Sequence, residues 1–402
     1  MKRIISFLKT DVKLINSYFL FTIVLIILVC IGYSSYALFS FTKTSTNIIE
    51  GTVGKLKKPD LISLEITNNP TKTIYAVGEN FDSSGMVILA NYSNNETKVI
   101  SDYSVTDGNN LSLSKNSVTI SYTENDITKN VTTNIVVASK TLNENSWDAI
   151  SKVASAGKGK EFWSVGDTKN VILNGNVGDY LTLENLSIDV FIIGFDHNAS
   201  IEGDNRIHFQ FGKMNGETVA IVDKRHGSFV SDTTKISFAV ELTKTDSFTW
   251  LTSNIRNAVL GADVDSPLSP KENTFLSVLP LELREVLRQC PKYTNNVYNS
   301  MSSNMTLTPE IIFLLSQYEY YGTNSDQTTE DEKNYQKQYE YYANGGSQAK
   351  KRHNRITATA RDWTRSVVKG WRGWTHVNRD GTSYYEAPNA DFGIAPAFVV
   401  GK

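Results

Sequence analysis

The chain has 402 residues, with 42 acidic and 40 basic side chains and a net charge of −2. That length leaves room for two or three domains, and the near-neutral balance excludes a protein built mainly to coat nucleic acid. Its two cysteines, Cys30 inside an apolar run and Cys290 standing alone far beyond it, exclude an intrachain disulfide framework, so stability has to come from packed cores.

The first element in chain order is an uncharged stretch from Tyr18 to Phe39. As a helix rising about 1.5 Å per residue it is long enough to cross a hydrocarbon layer of roughly 30 Å. Lys2, Arg3, Lys9 and Lys13 precede it against a single acid, Asp11, and this excess of basic charge keeps the N-terminus inside and sends the rest out. Residues 1–41 are therefore expected to be a basic cytoplasmic tail with a transmembrane helix. Alternatively they are a signal peptide cut after Ser35-Tyr36-Ala37. In the first case the protein is single-pass with its C-terminal part extracellular; in the second it is secreted.

Residues 42–59 are polar, carry Gly51 and Gly54, and end in Lys55-Leu56-Lys57-Lys58-Pro59, the composition of a tether. Short alternating runs follow: Ile62, Leu64 and Ile66; Met86, Ile88, Ala90 and Tyr92; Val118, Ile120 and Tyr122; Ile135 and Val137. Asn68-Asn69-Pro70, Asp82-Ser83-Ser84-Gly85, Asn94-Asn95 and Asp107-Gly108-Asn109-Asn110 separate them. This spacing predicts an all-β immunoglobulin-like sandwich over residues 60–139.

The same stretch resembles the bacterial immunoglobulin-like domains (group 3) of cell-surface proteins. The resemblance rests on Ile74-Tyr75-Ala76-Val77-Gly78-Glu79, Phe81-Asp82-Ser83-Ser84-Gly85, Ala90-Asn91-Tyr92, Ile100-Ser101-Asp102-Tyr103 and Ile120-Ser121-Tyr122-Thr123. It implies a spacer or adhesive module that needs no disulfide and performs no catalysis.

Residues 143–402 read as a separate α+β domain. Asn145-Ser146 caps a helix carrying Trp147, Ile150, Val153 and Ala154 at helical spacing, with Gly157 and Gly159 ending it. Strands are expected at Phe162 to Val165, Val171 to Leu173, Tyr180 to Leu183, Val190 to Phe195, Ile207 to Phe211 and Val219 to Val222. Helices are expected at Thr249 to Leu260, Asn273 to Gln289 and Glu330 to Asn344.

This part resembles an uncharacterised domain of secreted, surface and phage structural proteins, domain-of-unknown-function family 6273. The marks are Phe162-Trp163-Ser164-Val165-Gly166-Asp167, Gly178-Asp179-Tyr180-Leu181, Phe195-Asp196-His197, Ser253-Asn254-Ile255-Arg256 and Phe313-Leu314-Leu315-Ser316 leading to Glu319-Tyr320-Tyr321-Gly322. Trp363-Thr364-Arg365-Ser366 and Ala395-Pro396-Ala397-Phe398 complete the set. A weaker likeness is to C-type-lectin-like and sulfatase-modifying-factor-like folds. It implies that the first and last strands of the domain pair and that the segment between Arg365-Ser366 and the closing strand is displayed as a ligand-binding surface.

Between Lys350 and Arg379 the sequence holds nine basic residues and one acid, Asp362, together with Trp363, Trp371 and Trp374. Trp and Arg are the side chains most enriched at binding hot spots. Trp363, Arg365, Lys369, Trp371, Arg372, Trp374, His376, Asn378, Tyr384 and Tyr385 are therefore expected to form a ligand-binding face. Lys350, Lys351, Arg352 and Arg355 are expected to steer an anionic partner toward it. The bland alternative is a charged hairpin whose aromatics pack inward. Phe398, Val399 and Val400 are expected to be a buried closing strand.

Motifs of catalysis are missing from the sequence. The five histidines lack HExxH spacing, and no CxxC, GxSxG, Walker loop or dinucleotide fingerprint occurs. Asp196, Asn198, Ser200, Glu202 and Asp204 alternate like a calcium loop, but Ile201 stands where such a loop needs Gly. Neither metal nor cofactor is expected, and no enzymatic activity. The expected function is a membrane-anchored surface protein presenting an adhesin-like domain to an anionic polymer, a glycan or a protein, and not to nucleic acid. An exported enzyme acting on cell-wall or glycan substrates and a passive structural surface component are the alternatives.

Overall fold

The computed structural model describes residues 21–29, 58–179, 181–229, 236–238, 249–295, 304–324, 328, 331–346, 348–351, 360–371 and 373–402. The chain divides into Met1–Pro59 and a compact body, Asp60–Lys402. In the first unit residues 21–29 form a helix, α1, with every side chain exposed. Among the described residues no helix is long and apolar enough to cross a membrane. The remainder of the expected span, the signal-peptide site and tether residues 42–57 lie outside the described residues.

Eight strands build the first part of the body: β1 (Leu61–Asn68), β2 (Ile74–Ala76), β3 (Val87–Tyr92), β4 (Thr97–Ile100), β5 (Ser104–Thr106), β6 (Ser117–Glu124), β7 (Ile127–Asn134) and β8 (Val136–Ala138). They form sheets in the orders β1-β3-β4 and β5-β6-β7, with β2 and β8 paired in parallel. Leu61, Leu64, Tyr75, Ile88, Ala90, Val118, Ile120 and Val137 fill the space between them. The expected turn residues Asn95, Asp107 and Asn110 sit at positive φ. Asn125 and Asp126 do so as well and close the β6–β7 hairpin between paired Glu124 and Ile127, the twist-matched two-residue turn that Asn and Asp tolerate. β1 departs from strict alternation. An irregularity between Leu61 and Ser63 buries Leu61 and Leu64 and leaves Ile62 exposed.

The link into the second part is pinned down. Asn145 accepts from Ser139 N (2.8 Å) and donates to the carbonyls of Ser139 and Thr141 (3.0 and 2.9 Å). Trp163 Nε1 donates to the Ser139 carbonyl at 3.1 Å. Helix α2 (Trp147–Ser155) then begins as expected, with Ser146 accepting from Ala149 N. Its Trp147 packs edge-on against Phe209 and Phe398, at 5.5 and 5.9 Å between ring centroids.

The main sheet has seven strands. Its path is β13 (Leu287–Arg288), β20 (Ala397–Gly401), β11 (Arg206–Met214), β10 (Leu181–Phe195) and β9 (Thr168–Val177). β12 (Glu217–Thr218) adds to β11 and β16 (Ile312–Phe313) to β20. β20 is wholly buried, as expected for Phe398 to Val400, but it pairs with β11, β13 and β16. The strand pairing implied by the lectin-like resemblance is thus corrected: β9, the first strand, stands at the edge beyond β10 and β11. Two smaller units complete the body, the hairpin β14 (Cys290–Asn295)–β15 (Met305–Glu310) and the sheet β17 (Asp362–Val367)–β18 (Trp374–Val377)–β19 (Ser383–Glu386).

Helices are shorter than periodicity suggests. Phe162 ends a turn of helix, α3 (Gly159–Phe162), where a strand was expected. α4 is Ala199–Glu202. The stretch from Asn273 to Gln289 breaks at Pro280 into a 3-10 turn and α5 (Leu281–Arg284), because proline cannot supply the N–H that a continuing helix needs. Thr249 to Leu260 is helical only over Ile255–Leu260, with widened turns. α6 is Gln317–Tyr321; the Glu330 to Asn344 stretch yields α7 (Glu332–Tyr335) and α8 (Glu340–Gly345). Between these two, Gln336 and Tyr339 are drawn into the interior as hydrogen-bonding partners, which breaks the helical path. The result is a mostly β body with short helices on its flanks.

Candidate functional site

The C-terminal segment divides sharply into buried and exposed residues. β17 is buried at all six positions and β18 at all four. Trp363 donates to the Ile236 carbonyl at 3.1 Å and meets Phe238 edge-on, while Trp374 stacks on Phe238 at 4.4 Å. His376 lies against Phe392 at 4.8 Å. Burial, with a smaller opposing contribution from the Val377 backbone, pushes its pKa down to about 3. Trp363, Arg365, Trp374 and His376 therefore belong to the core, and their expected place on a binding face is corrected.

The exposed remainder is a small aromatic platform. Trp371 is 40% exposed and Tyr384 56% exposed. Tyr385 is half-buried, stacked on Tyr384 at 5.0 Å and met edge-on by Trp371 at 4.9 Å. Lys369 and Asn378 lie half-buried nearby in sequence, and Arg372 is outside the described residues. Of the basic run, only Lys350 and Lys351 are among the described residues. Lys350 is buried, donates to the Gly346 carbonyl at 3.1 Å and sits over the Tyr321 ring. Lys351 is half-buried, and Arg352 and Arg355 lie outside the described residues.

Arg365 leads inward to a cluster that sequence reasoning missed. Strand alternation puts Cys290, Lys292 and Thr294 of β14 on one buried face. Lys292 Nζ lies 2.7 Å from Glu202, 3.0 Å from Glu319 and 2.8 Å from the Tyr339 hydroxyl. Arg365 grips both oxygens of Glu319 and donates to the Leu314 carbonyl at 2.7 Å and to Thr294 Oγ1 at 3.1 Å. Glu319 is positioned by a capping box: Ser316 accepts from Glu319 N at 3.1 Å, and Glu319 accepts from Ser316 N at 2.9 Å. Gly322, at φ +68°, ends α6 in the left-handed region. The Ser316-x-x-Glu319 spacing followed by Gly322 was the available signal.

The electrostatics of this cluster are governed by burial and by the pairing of its charges. Burial alone would raise Glu319, but Arg365 and Lys292 together hold its carboxyl far below the usual range. Glu202 goes the other way: burial raises it to about 7 against the pull of Lys292. Burial also pushes the Cys290 thiol up, so it is an inert acid, and pushes His197 down to about 3. The ligand atoms of Glu202, His208 and Cys290, and those of His197, Glu202 and Glu319, approach within 4.8 Å of one another. In the second group the Lys292 ammonium already lies between the Glu202 and Glu319 carboxylates, at 2.7 and 3.0 Å, and supplies the positive charge there. The cluster is a buried charge network holding β14, α4, α6 and β17 together. Glu202 of the calcium-like loop serves as one of its acids.

Residues 68–136 match the family model described as Bacterial Ig-like domain (group 3). The chain thus carries a bacterial Ig-like domain, which points to a surface protein. No curated protein matches the chain.

Proposed function

We propose that this chain is an anchored bacterial surface protein whose Ig-like domain presents a C-terminal recognition body. The observation that carries the proposal is the platform of Trp371, Tyr384 and Tyr385, since clustered large aromatics left partly in water are characteristic of binding anchors. Flat rings, with the half-buried polar Asn378 and Lys369 nearby in sequence, suit the apolar face of a sugar ring in a wall glycan or an anionic polymer. The body needs no catalytic group for this task.

Alanine at Trp371 or Tyr384 is expected to weaken attachment to purified wall glycan or to anionic wall polymer by about 2 kcal/mol, near thirtyfold, with Tm unchanged. Trp363→Ala and Trp374→Ala are expected to act instead on stability, by about 3–5 kcal/mol. Attachment in both polymer arms that ignores Trp371 and Tyr384 removes the platform from the account.

The proposed topology rests on the uncharged Tyr18 to Phe39 run behind four basic residues. Protease added to intact cells with a permeable wall is expected to degrade epitopes after residue 60 and spare the N-terminal tail. Survival of the C-terminal epitopes overturns export.

A further inference from the structure

β9 is the outer strand of the main sheet and pairs only with β10 among the described residues. Its backbone orientation is set by one bond: the Asn170 N–H points away from β10 and donates to Asn143 Oδ1 at 2.8 Å. With a period of two, Ile172 and Asn174 turn their N–H and C=O groups the same way. Those groups have no hydrogen-bond partner among the described residues. The opening is limited at both ends, by the Asn143 side chain at Asn170 and by the Asn273 carbonyl, which accepts from Gly178 N at 2.8 Å.

Beside this edge lies a trough of about 660 Å³, lined by Asn170 and Ile172 of β9, by Ser151 and Lys152 of α2, and by Glu282 and Glu285. Its cations are already committed. Lys152 pairs with Asp148 at 2.8 Å, the Lys169 ammonium turns inward to the Asn145 carbonyl at 2.6 Å, and Arg288 donates to the Gly401 carbonyl at 3.1 Å. Glu282 and Glu285 are exposed and form no ion pair among the described residues, although Glu282 is near enough to Lys169 to favour its charged form. Ile172, 48% exposed, offers an apolar contact at the centre.

We propose that this edge receives an extended, basic segment of a protein partner as an added antiparallel or parallel strand. The open groups between the Asn170 carbonyl and Asn174 accommodate about four residues at roughly 3.3 Å each. Backbone hydrogen bonds supply the affinity, and Glu282 and Glu285 select lysine or arginine over acidic side chains. The Asn143 amide oxygen already fills the first rung in the way the partner's carbonyl fills the next.

The test is fluorescence anisotropy of a labelled alternating Val/Lys peptide of about ten residues with the full chain at low salt. Saturable binding is expected, at least about tenfold weaker for the fully N-methylated peptide, which has lost its donors, and for an alternating Val/Glu peptide. Glu282→Gln with Glu285→Gln is expected to weaken binding at low salt and much less at high salt. Ile172→Pro, which removes an outward N–H without touching the β10 ladder, is expected to abolish it. The methylated peptide keeps the test valid if that variant folds poorly. Absence of saturable binding, or equal binding of the methylated and unmethylated peptides, overturns the proposal.

Discussion

Arg365→Met is expected to destabilise the C-terminal body by about 3–5 kcal/mol, because removing one partner of a buried ion pair leaves the other charge uncompensated in a dry interior. The abandoned group is Glu319, fully buried and left with Lys292 as its remaining cation. Arg365 also satisfies the Leu314 carbonyl and Thr294 Oγ1, which lose their donors in the same step. Lysine is not expected to rescue the site, since one ammonium cannot reproduce the two-pronged grip of the guanidinium on Glu319. Adding Glu319→Gln to Arg365→Met is expected to recover part of the loss by removing the stranded charge. Urea unfolding of the full chain followed by tryptophan fluorescence measures both variants. Coincident curves for Arg365→Met and the parent show that the network does not hold the body together.

The partners of Arg365 also show why Trp363-Thr364-Arg365-Ser366 lies in the core and not on a binding face. Composition marked it as a hot spot, because Trp and Arg are enriched at interfaces, yet they are equally suited to buried strands when a carboxylate waits inside. Nothing local distinguishes the two cases. The deciding partners come from distant segments: Gly393 accepts from Trp363 N, Leu315 accepts from Arg365 N, and Ser366 Oγ accepts from Gln317 N. These contacts cover β17 on both sides. Only where the chain leaves that cover, at Trp371 and along β19, does the expected exposure appear.

Other elements were legible because their signals are local. The Ser146 cap with apolar residues at helical spacing produced α2, and Asn and Asp at turns produced the left-handed corners of the Ig-like domain. Phe398 to Val400 were legible as a buried strand because three consecutive apolar residues beside Ala397 fit a strand covered on both faces. Their partners were not legible, since β20 draws on β11, β13 and β16 from three separate parts of the chain. The helices failed where a side chain was needed inside, as at Tyr339, or where Pro280 removed a donor.

The buried acids and histidines make stability depend on pH in opposing directions. Burial raises Glu332 and Glu202 from 4.5 to about 7. Their folded-state values lie above the unfolded ones, so their contribution is complete below about pH 4.5 and is lost as pH rises through about 7. Burial lowers His197 and His376 from 6.5 to about 3 and His226 to about 4, and His208 in the same direction. Their contribution is present above about pH 6.5 and is lost as pH falls toward about 3–4. With four histidines against two acids, stability is expected to peak near pH 6.5. Glu332 isolates the alkaline side: it is fully buried, and its carboxylate accepts from Ser366 Oγ at 2.6 Å. Gln at this position keeps the Ser366 bond and cannot ionise. Glu332→Gln is therefore expected to exceed the parent by about 2–3 kcal/mol at pH 8 and to match it within about 1 kcal/mol at pH 5. Urea unfolding at both pH values measures the difference. A gap that is the same at pH 5 and pH 8 shows that Glu332 does not change its charge in this range, because an effect of packing alone has no reason to follow pH.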